Sequence, residues 1–157
     1  MRKMNRSEFV TYLDVTPDAS ASYELLGVGI TELAISYNPS VESEKWIIED
    51  TARHIHESNE KQASVSQSIY VGDPCYEFVK KGLDKLNYKT KILNIDRSNE
   101  LEDGKYYADL SDGLVSITSY MGENATIEYD LYFEGDKTVG SVTFGEDGKP
   151  VFQAEVI

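Results

Sequence analysis

Apolar and polar residues alternate with a period of two along most of the chain, the pattern of half-buried strands. Over 7–16, Phe9, Leu13 and Val15 share one face. Pro17 to Ser20 then reads as a turn, and over 30–37, Leu33, Ile35 and Tyr37 alternate with Glu32, Ala34 and Ser36. Asn38-Pro39-Ser40 ends that strand, because proline cannot donate to a ladder and restricts the residue before it. The clearest alternation is 61–71: Ala63, Val65, Ile69 and Val71 on one side, interrupted by Gln67, with Gln62, Ser64, Ser66, Ser68 and Tyr70 on the other. A short strand is predicted at 89–95 around Ile92, Leu93 and Ile95, followed by an acidic loop. Further strands are predicted at 113–120, 124–133, 137–145 and 149–156, separated by glycine-containing turns at 121–123, 134–136 and 146–148.

Two stretches depart from this period. Residues 41–60 are charged around a small apolar island, Trp46-Ile47-Ile48, and read as a long hairpin extension outside the core. From Asp73 the period becomes helical. Asp73 suits an N-cap, Pro74 suits the first helical position, and Tyr76, Val79, Leu83 and Leu86 form one stripe that Phe78 widens. Lys80, Lys81 and Lys85 favour the C-terminal end of its dipole, and Asn87 is a plausible stop, although Gly82 weakens the middle. The order strands, helix, strands predicts a mainly β fold. It consists of two packed antiparallel sheets, as a sandwich or partial barrel, with one flanking α-helix in a single domain over 1–157.

Composition narrows the function. With 157 residues and 40% apolar content, the chain can bury an ordinary core. Its formal net charge of -13 argues against a grip on nucleic acid through phosphate neutralisation and against an anionic membrane surface. The single cysteine excludes an intramolecular disulfide and a thiolate-built zinc site. Arg2, Lys3 and Arg6 make the first residues basic, but polar Ser7-Glu8 follows instead of an apolar run, and no apolar stretch approaches the roughly 18 residues that span a bilayer. A soluble protein made in a cytoplasm is expected. The 11 tyrosines suit half-buried strands and wet protein interfaces.

Candidate chemistry is sparse. His54 and His56 would share a strand face and, with Glu49, Asp50 or Glu57, could bind a metal, but a lone His-x-His is more often two exposed polar residues. Cys75 would sit in the first helical turn, where a dipole depresses a thiol pKa, yet no histidine is tied to it as a base and packing is the better reading. Gly27-Val28-Gly29 lacks the remaining residues of a phosphate loop, and the acidic stretch 96–112 lacks calcium-loop spacing. No catalytic residue, cofactor site or metal site is assigned. More distinctive are strands with one apolar and one small or acidic face: Glu32, Ala34 and Ser36; Ser64, Ser66 and Ser68; Thr126, Glu128, Asp130 and Tyr132. A plain solvent face would look similar.

The order of these residues resembles a family. Tyr37-Asn38-Pro39-Ser40 before a charged loop, then Ser64 to Tyr70 running through Val71-Gly72-Asp73-Pro74-Cys75-Tyr76-Glu77-Phe78 into a helix, is similar to the major tail protein (tail tube protein) of long-tailed phages and prophages of Gram-positive bacteria. The run Thr138 to Phe144 with Gly148-Lys149-Pro150-Val151-Phe152 resembles that family's closing hairpin, and the resemblance covers about 7–155.

The resemblance implies two packed antiparallel sheets with a flanking helix. It also implies hexameric rings sharing an inner β-barrel, and stacking of the rings into a tube that carries DNA during ejection. The protein would be a non-enzymatic virion component made in the bacterial cytoplasm. Its partners would be copies of itself and the tape-measure and tail-tip or initiator proteins, with no membrane. DNA would pass through without specific binding. Candidate lumen residues are Glu32, Ser36, Ser64, Ser66, Ser68, Glu128 and Asp130. Candidate ring-to-ring residues are Glu42, Glu44, Lys45, Trp46, Arg53 and Glu57, with Trp46 either an anchor or a small core under the loop. A contractile-tail tube or tail terminator would share this architecture. A different class, a small acidic β-sandwich binding a sugar, peptide or calcium ion, would need convergent aromatics such as Tyr106, Tyr107 and Tyr120.

Overall fold

Three long strands carry the structure, a computed structural model that describes residues 1–156. They are β7 (Tyr88–Glu102), β8 (Lys105–Tyr120) and β9 (Thr126–Phe144). Around them lie β1 (Phe9–Asp14), β2 (Tyr23–Leu25), β3 (Ile35–Ser36), β6 (Gln62–Ser68) and β10 (Pro150–Ala154), giving an eight-stranded antiparallel sheet. Its order is β2-β1-β7-β8-β9-β6-β3, with β10 also on β9. A second, two-stranded antiparallel sheet pairs β4 (Pro39–Glu44) with β5 (Arg53–Asn59). One α-helix, α1 (Pro74–Lys80), packs on the large sheet, and a 3-10 turn at Arg6–Glu8 leads into β1. The fold is thus mainly β, with two antiparallel sheets, one α-helix and no closed barrel among the described residues.

Neighbouring residues of a strand point to opposite faces, and here both faces are used. Leu13 and Ile92 join Val115, Tyr129, Leu131, Ala63 and Val65 in one core, which α1 covers with Cys75, Tyr76, Phe78 and Val79. The adjacent Tyr12 and Leu93 join Ile95, Ala108, Val142, Phe144 and Phe152 in a second core. On β7 one face carries exposed Lys89 and Lys91, then buried Leu93 and Ile95. The same side of the sheet is therefore wet along one half and dry along the other.

Several sequence expectations are corrected. The strand expected over 30–37 is reduced to Ile35–Ser36. Gly29, at φ 77, turns the chain ahead of it and lies so close to Ser68 that a Cβ would meet that carbonyl oxygen. Val71 is exposed, because β6 ends at Ser68 and the chain turns through Gly72 into α1. The helix starts at Pro74 as expected but stops at Lys80, leaving Leu86 exposed. Gly82 lets Tyr88 return against the helix end. A Cβ there would sit 2.4 Å from the tyrosine ring, which stacks on Phe78 with 4.9 Å between centroids.

The acidic loop after residue 95 is largely strand. β7 runs on to Glu102, with register shifts after Asp96, and Asp103-Gly104 makes the hairpin turn. The turn expected at 134–136 is a bulge within β9. Gly135 at φ 67 bends the strand while its pairing with β8 resumes at Thr138. Long strands outlast local turn chemistry here because their partners hold both sides of the bend.

Candidate functional site

The serine and carboxylate rows meet on one face because β6 and β9 pair in register. Ser64 lies opposite Asp130, Ser66 opposite Glu128 and Ser68 opposite Thr126. Ser64 Oγ donates to Asp130 Oδ1 at 2.8 Å, and Ser66 Oγ reaches Glu128 Oε1 at 3.5 Å. The hydroxyl of Tyr132 approaches Asp130 Oδ2 at 3.5 Å. Ser36 extends the row through its pairing with Gln62. Ser36, Ser64, Ser66, Ser68 and Glu128 are exposed and Asp130 is half-buried. Glu32 departs from this group: it is exposed but lies in the irregular segment before β3, so no strand register places it on the face. At the rim, Lys89 Nζ pairs with Glu134 Oε1 at 2.6 Å, a contact that neutralises charge rather than adding a grip for phosphate.

Residues 39–59 form an exposed ribbon. Every residue of β4 and β5 is exposed, and its tip carries Trp46, Ile47 and Ile48. Ile47 is 101% exposed and Trp46 51%. The tip has its own architecture. The Arg53 guanidinium lies 3.9 Å from the Trp46 ring centroid, and its Nη2 bonds Glu49 Oε2 at 2.6 Å. Trp46 Nε1 donates to Glu44 Oε1 at 3.2 Å, and the Trp46 amide donates to Glu49 Oε1 at 3.1 Å. Three ribbon candidates, Glu44, Trp46 and Arg53, therefore form one cluster with their neighbour Glu49, in which the indole is clamped edge and face. Glu42, Lys45 and Glu57 stand on the ribbon outside it.

Under the polar face lies a network that alternation treats as an interruption. Gln67 is 0% exposed, and its Nε2 donates to Val28 O at 2.8 Å and Asp73 Oδ2 at 2.7 Å. The buried Tyr129 hydroxyl donates to Gln67 Oε1 at 3.2 Å. Burial raises the Asp73 carboxyl above its ordinary range, although Gln67 opposes the shift. Cys75, also buried, is pushed up to about 12 by desolvation, with Asp73 and Glu24 adding to it. Such a thiol stays protonated and inert at neutral pH. The network holds the entry to α1 against β6 and β9.

The remaining candidates do not converge. His54 and His56 are exposed on β5, where His56 Nε2 lies 2.6 Å from Asn59 Oδ1. Among the described residues no group of three His, Cys, Asp or Glu side chains is placed to hold a metal ion. Tyr106 and Tyr107 start β8 while Tyr120 ends it, so these tyrosines form no shared concave site. Among the described residues no helix is long and apolar enough to cross a membrane.

No family model matches the chain, and no curated protein matches it. Among solved structures, it is similar to a chain of the anti-feeding prophage baseplate, solved by cryo-electron microscopy with six-fold symmetry imposed. The identity is 12%, the TM-score 0.46, and the match covers 88% of this chain and 97% of that chain.

Proposed function

We propose that this chain is a structural subunit of a phage or prophage tail, and within it of the tail tube. It would assemble with copies of itself into stacked hexameric rings around a channel for DNA ejection. Tape-measure and tail-tip proteins are then its partners, the virion is its destination, and it performs no catalysis. The observation that carries this reading is the β4–β5 ribbon. A two-stranded hairpin alone is marginal in water, yet this one projects fully exposed with three large apolar side chains at its tip. Such an element gains its stabilisation from a partner surface.

The polar face suits the other half of the role. Its serines and carboxylates are bonded to one another, and they offer a passing polyanion hydration and repulsion instead of cations. Facing such a row toward a channel would favour sliding over sticking. The resemblance of residues 7–155 to major tail proteins supports the same assignment.

Negative-stain microscopy and sedimentation of the concentrated protein test it. Rings or tubes are expected. A chain that remains monomeric at every concentration, with initiator and tape-measure proteins added, overturns the proposal.

A further inference from the structure

The cleft beside the first strand combines apolar lining with two basic residues. It has a volume of about 660 Å³ and lies between residues 3–6, β1 and residues 33–35. Met4, Phe9, Leu33 and Ile35 make its apolar walls, and Lys3 and Arg6 stand at its rim. Arg6 is held there: Nη1 donates to Phe9 O at 2.6 Å and Nη2 to Leu33 O at 3.0 Å. Residues 1–8 carry Arg2, Lys3 and Arg6 against Glu8, which pairs with Arg2, and so remain net basic in a chain whose formal net charge is -13. The ribbon over 41–57 has the opposite balance, with Glu42, Glu44, Glu49, Asp50 and Glu57 against Lys45 and Arg53, the last bonded to Glu49. Apolar tip faces apolar wall, and acidic collar faces basic rim.

We propose that Trp46, Ile47 and Ile48 at the tip of the β4–β5 ribbon dock into the Lys3- and Arg6-rimmed cleft of a second copy of this chain. The inference rests on the tail-subunit reading and names the surface that receives the ribbon. The tip does not fill the cleft of its own chain, since Ile47 is 101% and Ile48 86% exposed, so the occupant comes from another copy. β4 begins at Pro39, just after the cleft residue Ile35, and six extended residues carry the tip about 20 Å onward. The two surfaces differ, so the contact is head-to-tail and repeats along a stack. One tip in one cleft covers less than the roughly 1,200–2,000 Å² of a stable interface. A single contact is therefore weak, and a ring making several at once holds firmly through avidity.

Disulfide trapping tests the pairing, since the native Cys75 is buried and does not compete. The Ile47→Cys variant is mixed with Met4→Cys, and separately with Leu86→Cys. Leu86 lines a different cleft that also carries lysines, Lys81, Lys85 and Lys89. The partners carry tags of different length, so that a mixed dimer resolves from like-with-like dimers after oxidation. A mixed dimer with Met4→Cys is expected, absent with Leu86→Cys and lost when Lys3→Glu is added to the Met4→Cys chain. Stacked rings in the microscope without the Met4 cross-link, or equal cross-linking to Leu86→Cys, overturn the pairing and leave the tail-subunit reading standing. Monomers alone, with no mixed dimer, overturn both.

Discussion

At the scale of single residues, Gln67 shows what alternation alone conceals. A polar side chain at a core position reads as a break in the pattern, but here it bonds three groups at once, the Val28 carbonyl and the buried Asp73 and Tyr129 side chains. Gln67→Ala would leave Asp73 and the Tyr129 hydroxyl without that partner, at a cost of about 1–3 kcal/mol beyond the volume lost. Thermal melting should show a clear drop in Tm, while a surface change such as Ser66→Ala should leave Tm nearly unchanged.

The buried acids also set an alkaline limit. The Cys75 thiol rises from 9.0 to about 12, and burial raises the Tyr129 phenol as well. A folded pKa above the unfolded one gives stability that is complete below the unfolded value and lost as pH rises toward the folded value. Tm should therefore fall progressively between pH 9.0 and about 12, and Cys75→Ala should flatten that fall. A fall equally steep in the variant would remove the thiol from the account. The inertness of Cys75 was legible in the sequence, since no base accompanies it. Its contact with the carbonyls of Glu24 and Leu25 was not, because that depends on a chain separation of 50 residues or more.

At the scale of elements, local signals and long-range pairing divide the outcome. Pro74 marks the helix start because its fixed φ and missing amide are local chemistry, although the Asp73 carboxylate makes no capping hydrogen bond and accepts from Gln67 instead, whereas the helix end depends on Tyr88 packing into the space left by Gly82. The rows of β6 and β9 were legible as faces, and their hydrogen-bonded union required the register to be known. The strand expected around Glu32 fails for the same reason: alternation persists in the sequence there, but the chain makes no ladder until Ile35. Trp46 is half-covered within the ribbon itself. It is stacked under Arg53 on an exposed ribbon, with no core beneath it. Trp46→Ala should leave the melting transition within about 0.5 kcal/mol of the parent and weaken self-association in sedimentation. Loss of folding would show instead that the ribbon supports the sheet.

At the scale of the whole molecule, the distribution of charge matters more than its total. If the face of Ser64, Ser66, Glu128 and Asp130 lines a channel, Ser64→Lys with Ser66→Lys should leave assembly intact. DNA should then be retained by the assembled particles in a pelleting assay, and released as salt rises. Particles that ignore DNA equally before and after the change would place this face elsewhere. The sheet's reversal of wet and dry sides has a further consequence. β7, β8 and β9 each supply side chains to both cores, so neither core can come apart while the other keeps these strands paired. Heating should produce one cooperative transition, with aromatic and backbone signals melting together. Slow amide exchange should reach across both ends of the sheet and stop at the ribbon. The arm that reaches outward can then rearrange without loosening the body that bears it.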